Sequence, residues 1–215
     1  IVKVAICTGR TFGVSKHVAE ALNIHQPSIF NGGAEIIEPT TGKVLYQKLL
    51  SGSKQQEVIQ LLRSFNYRIY SSNDEYLDKD KPAEITKDTA KLLVEAVPDD
   101  IAINIIEELT AVSNISVVPV QSWHPGAVVA IFITAEGVNK KHGVEELLKI
   151  LGVPQHKVMA IGDGHNDLAL LSSAGFKVAM GNAPNELKEI ADYIAPSIDD
   201  DGVADAVNRF ILELK

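Results

Sequence analysis

At 215 residues, with 46% hydrophobic residues and a mean hydropathy of +0.07, the chain can bury one sizeable core or two small ones. A net charge of −8 excludes general binding to a nucleic-acid backbone, and no apolar run approaches the ~20 residues of a membrane span, the longest being Ala127 to Ala135. The single cysteine, Cys7, excludes an internal disulfide and points to a cytoplasmic protein.

Val2 to Cys7 is short, apolar and β-rich, which predicts a buried strand with Cys7 as a packed thiol. Thr8-Gly9-Arg10 closes it and sets a hydroxyl and free amides at a strand end. A helical stretch follows from about Ser15 to Leu22. Organisation changes near Asn31 and again near Gly126 to Thr134, and the pattern between is α+β. Strands are predicted at Val44 to Leu49 and Tyr67 to Ser71 around a helix at Lys54 to Ser64. After a charged segment to Lys81 come a helix at Lys87 to Ala96, a strand at Ile101 to Ile105 and a helix at Glu107 to Ser113. Strands at Ile115 to Val120 and Val128 to Ile133 end the block. Trp123, His124, Pro125 and Gly126 form a turn-like cluster, with Trp123 as a half-buried packing residue. Tyr70, Tyr76, Lys79 and Lys81 belong to a solvated surface.

Gly137-Val-Asn-Lys-Lys141 precedes an amphipathic helix with Val144, Leu147, Leu148 and Leu151 at helical spacing. A cation at that end of a helix opposes the dipole and is better explained by an anionic ligand. Val158 to Ile161 is a strand-sized apolar run, after which Gly162 and Gly164 let the chain turn. Asn166 and Asp167 lead into a helix beginning at Leu168. The loop thus sets two carboxylates, Asp163 and Asp167, beyond a strand's carboxyl end, where open α/β sheets bind ligands. Their oxygens suit a divalent cation holding a phosphate. Alone, such a pair could equally be a turn residue and a helix cap; the other strand end and the lysine favour the ligand. No second histidine stands at ligand spacing, so His165 is at most a residue lining the site.

Taken in order, Thr8-Gly-Arg10, Asn31-Gly-Gly-Ala34, Gly137-Val-Asn-Lys140 and Gly162-Asp-Gly-His-Asn-Asp167 resemble the haloacid dehalogenase superfamily, in particular its Cof-like phosphatases. Val178-Ala-Met-Gly-Asn-Ala183, Ala191-Asp-Tyr-Ile194 and Asp201-Gly-Val203 resemble the same subgroup. P-type ATPases share the Gly-Asp-Gly-x-Asn-Asp loop, but the other motifs favour the soluble phosphatases. The resemblance implies an α/β fold with a doubly wound, Rossmann-like core at residues 1–32 and 134–215 and an α+β cap at residues 33–133. It implies that Thr8 holds the phosphoryl group and that Lys140 neutralises its charge. Lys140 is chosen over Lys141 because it stands at the family's spacing from Gly152. Asp163 is implied as a Mg²⁺ ligand, Asp167 as its support and Asn166 as an organiser of the site. Gly9, Arg10, Asn31 and Gly32 complete the substrate-binding candidates.

The family's nucleophile is the first aspartate of an Asp-x-Asp-Gly-Thr segment preceding Thr-Gly-Arg. With Ile1 seven residues before Thr8, the expectation is a fragment lacking a first βα unit of at least about 30 residues, inactive by itself. Asp78-Lys-Asp80 and Asp199-Asp-Asp201 have the carboxylate spacing, but they read as a charged stretch and a solvated turn. The complete protein is expected to hydrolyse a small phosphorylated metabolite with Mg²⁺, as a monomer or homodimer. A phosphotransferase or mutase on the same core, and a non-catalytic phosphate-binding regulator, are the alternatives.

Overall fold

The computed structural model describes residues 2–72, 76–77, 87–121 and 128–213. Helix α1 (Phe12–Ala21) starts where the Thr11 hydroxyl accepts from the Val14 amide at 3.4 Å. Strand β1 (Ser28–Phe30) is followed by a tight turn at Asn31–Gly33 and by the hairpin strands β2 (Glu35–Glu38) and β3 (Lys43–Gln47). These three strands form an antiparallel sheet.

Helix α2 (Gly52–Leu62), capped by Ser51, leads to β4 (Ile69–Ser71), β5 (Tyr76–Leu77), β6 (Leu92–Pro98), α3 (Asp99–Thr110), β7 (Ile115–Gln121) and β8 (Val128–Ala135). The strands make an antiparallel sheet of order β5-β4-β6-β8-β7. The helices α2 and α3 cover it: Val58, Leu62, Ile105 and Leu109 pack with Leu92, Val94, Ile131 and Ile133 in one cluster. Each of these side chains is at most 2% exposed.

The remainder is α4 (Lys140–Leu151), β9 (Met159–Gly162), α5 (Asp167–Leu171), β10 (Phe176–Ala179), α6 (Asn185–Glu189), β11 (Tyr193–Ile194) and α7 (Gly202–Val207). β9, β10 and β11 pair in parallel. Alternation along the strands separates two faces. Ala160 and Ala179 join Val144, Leu147, Leu171 and Leu187 of the helices, while Met159, Ile161, Val178 and Tyr193 pack with Ala206 of α7. Helices on both faces of a parallel sheet make a doubly wound arrangement. No helix among the described residues is long and apolar enough to cross a membrane.

The structure departs from the sequence reading in three places. Residues 87–96 are not a helix: the central strand β6 begins at Leu92, and pairing with β4 and β8 overrides the helical propensity of its Leu, Glu and Ala residues. Residues 101–105 are not a strand but lie within α3, which starts after Pro98 with Asp99 and Asp100 in its first turn. Its alternating isoleucines mimic a strand, yet Ile103 is exposed and the buried set is Ala102, Ile105 and Leu109, a helical stripe.

Val2 to Cys7 is not a regular strand: its β pairing among the described residues is limited to a parallel bridge from Cys7 to Ile29. Val2 and Val4 are exposed. The hairpin of β2 and β3 lies apart from the cluster of α2 and α3. Ile36, Leu45 and Tyr46 join the cluster of α4 and α5, and Leu50 is the first side chain in the α2 and α3 cluster.

Candidate phosphate site

Two backbone segments, residues 8–10 and 29–32, are stitched together at the carboxyl end of β1. The Thr8 amide donates to the Ile29 carbonyl, the Gly32 amide to the Thr8 carbonyl and the Asn31 amide to the Arg10 carbonyl, each at 3.0 Å. The turn at 31–33 needs left-handed backbone: φ is +51° at Asn31, +68° at Gly32 and +111° at Gly33. A side chain at Gly33 would strike the Asn139 carbonyl, and one at Gly143 would come within 2.8 Å of Gly33 Cα. Two glycines thereby bring the turn against the start of α4.

That helix start carries Lys140. Asn139 caps it by accepting from the His142 amide at 3.0 Å, so Lys140 is the first helical residue, and it is buried. Its ammonium donates to Asp167 Oδ1, while Asp167 Oδ2 accepts from the amides of Asp163 and Gly164, both at 3.0 Å. Both oxygens of the buried Asp167 are therefore engaged. Gly162 makes room for it, since a Cβ there would lie 2.5 Å from Asp167 Cβ. A buried carboxylate so supplied with donors is compensated for leaving water, as is the lysine opposite.

The Thr8 hydroxyl oxygen accepts from the Arg10 amide at 3.1 Å, which leaves its proton to be donated elsewhere. Cys7, next to Thr8, feels the charges of Lys140 and Asp167, but desolvation dominates and pushes its thiol up to about 12. Any stability tied to this shift is present below the ordinary thiol value of 9.0 and is lost as pH rises toward 12. Iodoacetamide at pH 8 is expected to alkylate Cys7 about a thousandfold more slowly than a free thiol, because the thiolate fraction falls by that factor. Alkylation at the free-thiol rate would contradict this.

Asp163 faces solvent, with Asn182 Nδ2 3.5 Å from its Oδ2, at the outer limit of a hydrogen bond. Asn182 is itself oriented by the Ile198 amide, which donates to its Oδ1 at 3.1 Å. Gly32, Lys140, Asn166 and His165 line a cleft of about 190 Å³ together with Phe132 and Thr134 of β8. Thr8 and Arg10 line a second, of about 140 Å³, with Ile6 and Ser15. Asn31 is buried and donates to Glu35 Oε2 at 2.6 Å, so it braces the turn from beneath. His165 stands 3.8 Å from Glu186, on the exposed rim.

Among the described residues no group of three or more His, Cys, Asp or Glu side chains is arranged to hold a metal ion. Mg²⁺ does not require one, since it keeps several waters and takes one or two carboxylates with substrate phosphate oxygens. Asp163, exposed and with a neutral amide at the limit of hydrogen-bond distance, fits as a direct ligand. Asp167, with both oxygens engaged, fits as the residue that shapes the loop.

Two residues of this region escaped the sequence reading. Asn182 had a signal in the Gly181-Asn182-Ala183 run but no assigned partner. Lys91, placed in an expected helix, is instead buried and donates to the Gly9 carbonyl at 2.7 Å. Asp199, Asp200 and Asp201 form an exposed turn, as expected. Asp78, Asp80, Lys79, Lys81, Trp123 and His124 lie outside the described residues, as does the side chain of Tyr76.

The profile of the haloacid dehalogenase-like hydrolases matches residues 2–112 and 70–207. A 5-amino-6-(5-phospho-D-ribitylamino)uracil phosphatase of Bacillus subtilis (strain 168), YcsE, is 31% identical over 213 residues, covering 98% of this chain and 83% of that protein. A phosphoglycolate phosphatase of Methanothermobacter thermautotrophicus is 48% identical over 82 residues, 38% of this chain and 37% of its own length. A solved haloacid dehalogenase-like hydrolase from Bacteroides thetaiotaomicron superposes with a TM-score of 0.78 at 25% identity, covering 97% of this chain and 86% of that one. The chain belongs to the haloacid dehalogenase superfamily. Within it, the matching profile is that of haloacid dehalogenase-like hydrolases, and both relatives named above are phosphatases.

Proposed function

We propose that the chain supplies the residues that hold phosphate and Mg²⁺ during hydrolysis of a small phosphorylated metabolite through an aspartyl-phosphate. The observation that carries this reading is the buried Lys140–Asp167 pair beneath the Gly162–Asn166 loop. A buried cation at a helix start, held by a carboxylate whose other oxygen is fixed by loop amides, is a preorganised counter-charge for a phosphoryl group. Thr8, which lines the smaller cleft, donates its hydroxyl proton to a phosphoryl oxygen, and Asn166 lines the larger cleft with Lys140. Asp163, with Asn182 beside it, would hold Mg²⁺. The ion, when bound, offsets negative charge on the transferring group.

The nucleophilic aspartate and the acid that protonates the leaving oxygen are not among Thr8, Lys140, Asp163 and Asp167. An aspartate oxygen would form a bond to phosphorus as the ester oxygen leaves with a proton, and water would then hydrolyse the acyl phosphate. The layer from about residue 50 to residue 134 acts as the cap, its strand β8 giving Phe132 and Thr134 to the cleft. Substrates in keeping with that cleft are sugar, nucleotide or cofactor phosphates; the ribitylaminouracil phosphate named for the Bacillus relative falls in this class. The single cysteine suits a cytoplasmic setting.

With p-nitrophenyl phosphate and Mg²⁺ the chain by itself is expected to show no turnover. Hydrolysis that disappears in Asp163→Ala would demonstrate a nucleophile within these 215 residues and overturn the division of roles proposed here.

A further inference from the structure

We infer that Lys91 is a positioning residue that ties the layer of β6 and β8 to the phosphate loop by pinning the peptide between Gly9 and Arg10. The inference rests on the reading of Thr8 as the hydroxyl that meets the phosphoryl group.

The Gly9 carbonyl and the Arg10 amide belong to one planar peptide unit. Lys91 Nζ donates to its oxygen at 2.7 Å, and its N–H donates to Thr8 Oγ1 at 3.1 Å. One end of the unit is thus held from a residue 82 positions away, and the other holds the hydroxyl proposed to bind phosphate. Rotating the plane would break both bonds and free the Thr8 side chain to turn. Such a rotation is least hindered at a glycine. Gly9 is also the residue over which Phe132 lies: a Cβ there would be 2.5 Å from Phe132 Cε2.

Lys91 and Phe132 act on the glycine together. The ammonium sits 4.1 Å from the centroid of the Phe132 ring, and the lysine is only 3% exposed. Keeping a charge there is costly unless polar partners compensate it, and the carbonyl of the phosphate loop is one of them. β6 and β8 are paired neighbours, with Leu93 opposite Phe132. Displacement of this sheet would therefore withdraw the ring and the ammonium at once. The loop is then set for phosphate only while the sheet is seated, so seating and phosphate affinity are linked.

The test uses the whole chain, with wild type, Lys91→Met, Lys91→Arg and Thr8→Ala compared by NMR. Two quantities are read: hydrogen exchange at the Arg10 amide and the dissociation constant for inorganic phosphate in the presence of Mg²⁺. Lys91→Met is expected to speed Arg10 exchange and weaken phosphate binding, each about tenfold, the scale of one hydrogen bond to a charged group. Lys91→Arg is expected to recover part of both.

Unchanged exchange in Lys91→Met overturns the inference, whatever happens to phosphate. Faster exchange with wild-type phosphate affinity also overturns it. If Thr8→Ala keeps wild-type affinity too, or wild type binds no phosphate, the reading of Thr8 has failed rather than the pinning. Should Lys91→Met not fold, Phe132→Leu, which opens space over Gly9 and leaves the ammonium, is expected to speed Arg10 exchange in the same direction, and unchanged exchange there is equally fatal.

Discussion

Asp167→Ala is expected to destabilise the chain by about 3–5 kcal/mol, the scale of removing one partner from a buried ion pair. Lys140 would remain buried without its carboxylate, and the amides of Asp163 and Gly164 would lose their acceptor. The two losses occur in the same turn, so the loop carrying Asp163 should loosen as well. Lys140→Met is expected to cost less, because Asp167 would keep two backbone donors. The single and double variants form a cycle whose coupling measures the pair itself. Urea unfolding reads all four, and a midpoint for Asp167→Ala equal to wild type would show that the pair carries no structural weight.

The second large effect is expected at Gly33. Gly33→Ala would place a methyl group against the Asn139 carbonyl at a φ of +111°. Clash and strained backbone together should destabilise by about 2–4 kcal/mol. The damage falls on the cap of α4, so Lys140 should shift and phosphate affinity should drop with stability. Gly32→Ala is the control. Its φ is +68° but nothing lies within 4 Å of the added carbon, so only the left-handed penalty of about 1–2 kcal/mol applies. Equal melting temperatures for the two variants would mean that backbone strain alone governs the turn.

The chemistry-bearing loops were legible in the sequence because glycine, a cap residue and charge fall together in short segments. Asn139 and Lys140 marked a helix start with a cation in an unfavourable place, and the structure buries that cation against Asp167. Gly162 and Gly164 marked a turn, and Gly162 proves to be room for the Asp167 side chain. The inserted layer was less legible because its local signals conflict with its long-range pairing. Leu92 to Ala96 has the composition of a helix and becomes a central strand once β4 and β8 hold it. Lys91 could not have been found without that correction. Its partner at Gly9 is set by the sheet, and no spacing in the chain reports a contact across 82 residues. Asn182 carried a motif but no geometry until Asp163 and Ile198 were placed on either side of it.

Calorimetric titration of inorganic phosphate into the chain, with and without Mg²⁺, is the most direct measurement of whether these loops form one phosphate site. The structure predicts binding that is strengthened by Mg²⁺, that loses this dependence in Asp163→Asn and that is weakened in Lys140→Met. The stability of Asp163→Asn should stay near wild type, since Asp163 is exposed. Phosphate binding indifferent to Mg²⁺ and to both substitutions would contradict the site described, and so would no binding at all.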